Sequence, residues 1–280
     1  MKPHLLSVCL ILCLSACVSK GKKEAKDSTP KVTDSTVTAP DLIDHRDTTE
    51  KLSYIADQFN DYVKYGKIVV PPYGLEKIKD LLTAHVKTTE DPDEGDNYLE
   101  ELDSTIYAGL SFDEQFTYNM IHPENYAQMC DGLPERKDED HRIYGQLPNP
   151  FVEYSWSGRQ SQFFTDHRDS VEALMKANID STGQIGSNFA EAIVDMNGTD
   201  MIPYLIDTYQ KQQKKDHYLL TVLMLLMEKN KYPEFMTSTS CQKLYKKDTD
   251  TYSLYLVYNQ ANEDLIIQRA TRFYNGLSSH

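Results

Sequence analysis

From Tyr218 to Met227 the chain is apolar at every position except Thr221. A helix of that composition has no polar face to offer water, so it belongs at the centre of a core with other elements packed round it. Asp216 stands just ahead of the run, where a carboxylate can cap the first turn. With 40% hydrophobic residues the chain can bury one sizeable core, and its 280 residues fit one or two domains. Average usage would give about 20 glycines. Only 12 are present, which argues against a turn-dense all-β architecture.

Helical periodicity dominates from about Thr48 onward. Leu52, Ile55, Phe59 and Tyr62 or Val63 form one apolar stripe, with Gly66 suited to the position after its end. Residues 67–72 end in Pro71-Pro72 and read as extended. Leu75, Ile78, Leu81, Leu82 and Val86 predict a second helix, and Leu99, Leu102 and Ile106 a third that stops at Gly109. Ser111 and Glu114 form a capping box for a fourth, carrying Phe112, Phe116 and Met120, and Pro123 starts a further short piece. Residues 131–157, rich in Gly and Pro, suggest a boundary between two lobes or a long loop laid across one. Phe163, Phe164, Val171, Leu174 and Met175 mark one or two helices. Ile185, Phe189, Ala192, Ile193 and Met196 share one helical face, which ends at Asn197-Gly198. Met201, Ile202, Leu205 and Tyr209 belong to the next helix, with Thr199 as its cap. Residues 252–258 alternate and fit a strand or a helix, and a last helix opens at Asn262 and closes at Gly276.

The segment Ala190–Ile206 resembles a HEAT repeat: a helix ends near Gly198, and a second begins with Pro203 one turn in. Proline is tolerated there because first-turn N–H groups have no intrahelical partner. The match covers one helix pair, about residues 183–213, and the next helix start at Asp216 falls within the period of helical repeats. No second clear copy is visible, and Thr199 stands where the family has Asp. The expected fold class is therefore all-α, with HEAT-like, α-solenoid helix pairs and room for one or two short strands.

The amino terminus points to a compartment. Lys2 is followed by an apolar stretch, Leu5–Val18, that is too short for a spanning helix of about 20 residues and fits a secretory signal. Leu14-Ser15-Ala16-Cys17 resembles the lipobox of bacterial lipoproteins in all four positions. The resemblance implies cleavage before Cys17, leaving residues 1–16 as the signal peptide, and lipid on the Cys17 sulfur and the new amino terminus. It identifies the membrane, through that anchor, as the first partner. Several acyl chains at about 0.8 kcal/mol per buried methylene hold such a protein firmly. Val18 and Ser19 lack the Asp linked to inner-membrane retention, and no acidic run follows, so the expected site is the outer membrane, facing the periplasm. Residues 17–47, rich in Ser, Thr and Lys, read as a disordered tether with a span of roughly 30 Å. Lys20, Lys22, Lys23 and Lys26 either meet anionic headgroups or serve as solvated spacer. Residues 48–280 form the helical domain.

No residue pattern nominates a catalytic centre, a metal or a cofactor. The formal net charge of −14 argues against nucleic acid as a partner. Asp138-Glu139-Asp140-His141, His122 with Glu124, and Asp166-His167-Arg168-Asp169 are acidic or mixed clusters without the i, i+4 histidine spacing of a helical metal site. Asp91–Asp96 approaches a calcium loop, but its Gly comes one position early and Leu102 stands where a bidentate Glu is needed. There is no Gly-x-Ser-x-Gly elbow and no Gly-rich phosphate loop. Cys130 and Cys241 either pair or stay as buried thiols.

Charge supplies the strongest signal outside the core. Between Glu90 and Asp103 lie eight acidic residues and no basic one. Such a face speeds the approach of a cationic protein. Asp93, Glu94, Asp96, Glu100 and Glu101, with Tyr98 among them and Tyr107 beside them, are the candidate partner-binding residues. The sequence thus suggests a lipid-anchored, periplasm-facing binding protein rather than an enzyme, for example an immunity protein that neutralises a delivered toxin. The competing reading is an envelope hydrolase acting on cell-wall or glycan material.

Overall fold

The computed structural model describes residues 64–90, 97–128, 136–245 and 252–277. After an extended start the chain forms α1 (Leu75–His85), β1 (Val86–Glu90), β2 (Tyr98–Leu102), α2 (Ser104–Ala108), α3 (Phe112–Ile121), β3 (Asn125–Tyr126), β4 (Arg142–Tyr144) and β5 (Tyr154–Ser155). There follow α4 (Gly158–Asp166), α5 (Arg168–Thr182), α6 (Ser187–Asp195), α7 (Ile202–Lys211), α8 (Tyr218–Lys229), α9 (Pro233–Met236) and α10 (Thr239–Leu244). The last elements are β6 (Tyr255–Val257) and α11 (Gln260–Leu277).

Helix α8 is the axis of this arrangement. All ten residues from Tyr218 to Met227 are buried, and α6, α7, α9, α11 and β4 pack against it. Its one polar interruption is satisfied, because the Thr221 hydroxyl donates to the Tyr144 carbonyl at 2.7 Å. Asp216 does cap the helix: its Oδ1 accepts the Tyr218 N–H at 3.0 Å. Residues 136–157 feed the same core through Ile143, Tyr144, Leu147, Phe151 and Trp156.

The fold is mainly helical, but it is not all-α. Four strands form an antiparallel sheet in the order β1-β2-β3-β5, and β4 pairs with β6 in a second one. The predicted third helix is where the expectation fails. Leu99, Leu102 and Ile106 keep helical spacing, yet residues 98–102 are a strand, and only Ser104–Ala108 are helical. Asp103 separates the two, accepting the Thr105 N–H at 3.0 Å as an N-cap. Three apolar residues spread over so short a window satisfy either period, and pairing with β1 from Val86↔Leu102 to Glu90↔Tyr98 decides for the strand. Val86, expected at the end of the second helix, is instead the first residue of β1.

Other boundaries follow their local chemistry. Both halves of the Ser111–Glu114 capping box are present, and Ser157 with Gln160 forms a second box at the start of α4. Asn197 adopts φ 55° where α6 ends, and Pro203 lies in the first turn of α7. Within residues 252–258 only Tyr255–Val257 form a strand, β6, and the last helix begins two residues earlier than Asn262. The extended segment around Val69 is held by Asn188 on α6. The Asn188 amide donates to the carbonyls of Val69 and Met120 at 2.8 and 3.0 Å and accepts the Val69 N–H at 3.1 Å.

Candidate binding site

Cys17, Asp93, Glu94 and Asp96 lie outside the described residues. Tyr98, Glu100 and Glu101 fall on β2. Strand register sets Tyr98 opposite Tyr126 and Tyr126 opposite Tyr154. The three half-buried rings form a ladder across the sheet: Tyr98 stacks on Tyr126 with centroids 4.3 Å apart, and Tyr126 meets Tyr154 edge-on at 5.1 Å. The two-residue period places Glu100 on the same side of β2 as Tyr98. Burial, together with the Glu100 charge, drives the Tyr154 phenol far above its ordinary proton affinity, so Tyr154 stays protonated.

Glu101 points to a buried brace. Its carboxylate lies 3.4 Å from Arg159 Nη1. Arg159 also donates from Nε to both oxygens of Glu124, at 2.9 and 3.0 Å, and from Nη2 to the Leu102 carbonyl at 2.9 Å. Glu124 has no solvent exposure and further accepts the Tyr118 hydroxyl at 2.6 Å and the Ser157 hydroxyl. The guanidinium lies over the Tyr107 ring, 4.5 Å from its centroid. With every oxygen partnered, this network ties β2 to α4 and fixes the acidic strand in place.

Tyr154 joins the ladder to a second feature. Together with Phe151, Trp156, Tyr252, Gln146 and Asn149 it lines a cleft of about 430 Å³ closed on one side by Glu191 and Asp195 of α6. That volume lies within the range of small-ligand pockets. Burial, and then the Asp195 charge, pushes Glu191 up to about 7. Partial desolvation also raises Asp195, although the residue remains exposed to solvent, against the opposing influence of Lys229. Among the described residues neither carboxylate makes a hydrogen bond or an ion pair, because the Lys229 ammonium is bonded to the Asp195 backbone carbonyl at 2.9 Å. Next to Phe151 in the chain, Val152 adopts φ 60°, a conformation a β-branched residue takes only when its surroundings impose it.

The remaining sequence candidates serve structure. Glu139 accepts the backbone N–H groups of Lys64 and Tyr65 at 2.6 and 3.2 Å, Asp140 pairs with Lys64, and His141 Nδ1 lies 2.8 Å from Asp138. His122 Nε2 meets the Glu100 carbonyl at 2.9 Å, and His167 packs on Phe112 and Phe163. Among the described residues no group of three or more His, Cys, Asp and Glu is placed to hold a metal ion, and no helix is long and apolar enough to cross a membrane. Cys241 is a buried free thiol; Cys130 lies outside the described residues. Glu191 and Asp195 were not candidates from sequence. Their only signal was a pair of acids four residues apart on a short, otherwise largely apolar helix. No family model, curated protein or solved structure matches this chain.

Proposed function

We propose that the chain is a lipid-anchored, periplasm-facing protein that binds a cationic protein partner. The observation that carries this reading is the continuity of one surface. The ladder begins on the acidic strand β2 at Tyr98, crosses Tyr126 and ends at Tyr154, which also lines the carboxylate-lined cleft. Acidic groups steer a basic partner, and half-buried tyrosines supply rigid contact area that costs little side-chain entropy to order. The brace through Arg159 and Glu124 keeps that surface preorganised, which reduces the ordering cost of binding. An immunity protein that occludes a basic toxin is one concrete form.

The unpartnered acids Glu191 and Asp195 also give the hydrolase reading a foothold. Glycoside hydrolysis, however, uses two carboxyl groups flanking the scissile bond. These two stand one turn apart on a single helix, hence on one wall, an arrangement suited to holding a cation. The test has two arms. Mass spectrometry of native protein should find acyl groups on Cys17. Pull-down from the native envelope should recover a stoichiometric basic protein whose association slows several-fold on reversal of Glu94, Asp96 and Glu100 to Lys, with the effect fading at high salt. An unmodified Met1 start, or association indifferent to the three reversals, refutes the proposal.

A further inference from the structure

Building on that reading, we infer that the cleft receives one arginine side chain of the cationic partner, with its guanidinium between the Glu191–Asp195 pair and the aromatic wall.

The argument starts from what the cleft lacks. Two carboxylates face a space of about 430 Å³ with no hydrogen-bonding or ionic partner among the described residues. Residues four apart on a helix have Cβ atoms about 5–6 Å apart, a separation that the five N–H donors of a planar guanidinium can bridge. Phe151, Tyr154, Trp156 and Tyr252 line the same cleft, and guanidinium groups stack on such rings where ammonium groups do so less well. The protein already uses this chemistry twice internally. Arg136 lies 3.7 Å from the Tyr252 centroid and 4.3 Å from that of Tyr144 while donating to backbone carbonyls. Arg159 lies over Tyr107 while bonded to Glu124. The cleft brings carboxylates and aromatic rings together in a similar way, with no Lys or Arg among its lining residues. A bound cation would also hold fully ionised a Glu191 whose proton affinity is otherwise raised.

Trp156 is the chain's single tryptophan and lines the cleft, so its fluorescence reports occupancy. Detergent-solubilised full-length protein is titrated with N-acetyl-arginine amide, N-acetyl-lysine amide and the neutral isostere N-acetyl-citrulline amide. The arginine probe should saturate the signal, with the lysine probe at least threefold weaker and the citrulline probe inert. Glu191→Gln with Asp195→Asn should weaken the arginine probe at least tenfold, and Glu76→Gln, at an exposed position outside the cleft lining, should leave it unchanged. Asp195→Asn alone, at an exposed position, should weaken it too and guards against misfolding of the double variant. Equal binding of citrulline, or unchanged arginine binding in the Asp195 variant, overturns the inference. A recovered partner that responds to Glu100 reversal but not to Glu191→Gln with Asp195→Asn also overturns it while sparing the partner reading. Saturable arginine binding with no basic partner in the envelope does the reverse.

Discussion

Replacing Arg159 with Ala should uncouple the acidic strand from the helical body, and the cost can be worked from its contacts. The substitution leaves Glu124, which has no solvent exposure, without its counter-charge. It also removes the Nε donor that reaches both carboxylate oxygens, the Nη2 donor to Glu124 and to the Leu102 carbonyl, and a stacking contact with Tyr107. Breaking a buried ion pair from one side costs about 3–5 kcal/mol, chiefly because the remaining charge is stranded. Glu124 keeps the Tyr118 and Ser157 hydroxyls, which places the expected loss near the lower end, about 3 kcal/mol. If the stranded charge is the cause, Glu124→Gln should rescue it. The amide fills the same volume, its oxygen still accepts one hydroxyl and its N–H can donate to the other hydroxyl oxygen, so the double variant Glu124→Gln with Arg159→Ala should be more stable than Arg159→Ala alone. Urea unfolding followed by circular dichroism, extrapolated to water for the four members of the cycle, measures the coupling. A loss below about 1 kcal/mol for Arg159→Ala, or a double variant whose loss equals the sum of the two singles, would refute the brace. The same variant should also slow partner association, because β2 loses its tie to α4.

Three further outcomes follow from buried contacts. Asn188→Ala strips the Val69 N–H and the Val69 and Met120 carbonyls of their partner, and at about 1–3 kcal/mol per stranded group the urea midpoint should fall sharply. Gly186→Ala would place a Cβ 2.6 Å from the Val69 nitrogen; since backbone cannot step aside as a side chain can, a loss of about 1–3 kcal/mol is expected from thermal or urea melts. Burial pushes Asp216 from 3.8 up to about 7. Its folded pKa thus exceeds the unfolded one, and the stability it supports is present below the unfolded value and lost as pH rises through the folded value. Asp216→Asn should therefore gain relative to wild type between about pH 5 and about pH 8, and a constant difference in urea midpoint across that interval would contradict the assignment.

The helical body was legible wherever one signal was long or doubly marked. The run 218–227 could only be central, and it is. The Ser111–Glu114 box fixed the start of α3 because two reciprocal hydrogen bonds require those two residue types at that spacing. The sheet was hidden because its strands are short. β3 and β5 have two residues each, fewer than one period of alternation, and they exist through pairing with β2 and with each other, which no local pattern encodes. Residues 98–102 show the same principle from the other side: their spacing allowed a helix, and the antiparallel partner at Val86–Glu90 overrode it.

The candidate site was half legible for a related reason. Charge is additive along a chain, so the acidic stretch around Glu100 stood out from composition alone. A cleft is a property of elements brought together from afar. Its acids come from α6, its Trp and one Tyr from residues 154–156, and Tyr252 from almost a hundred residues further along the sequence. Each of these had an ordinary local explanation: Glu191 as the polar edge of an amphipathic helix, Trp156 as a core aromatic. Trp156 is indeed both, donating its indole N–H to the Asn119 carbonyl at 2.7 Å while its ring borders the cleft. The double duty has a physical consequence. A wall anchored in the core by a buried hydrogen bond cannot swing away when a ligand arrives, so recognition there depends on the fit of the incoming group to a preformed space. That is why a planar cation, rather than charge of any shape, is the occupant the geometry selects.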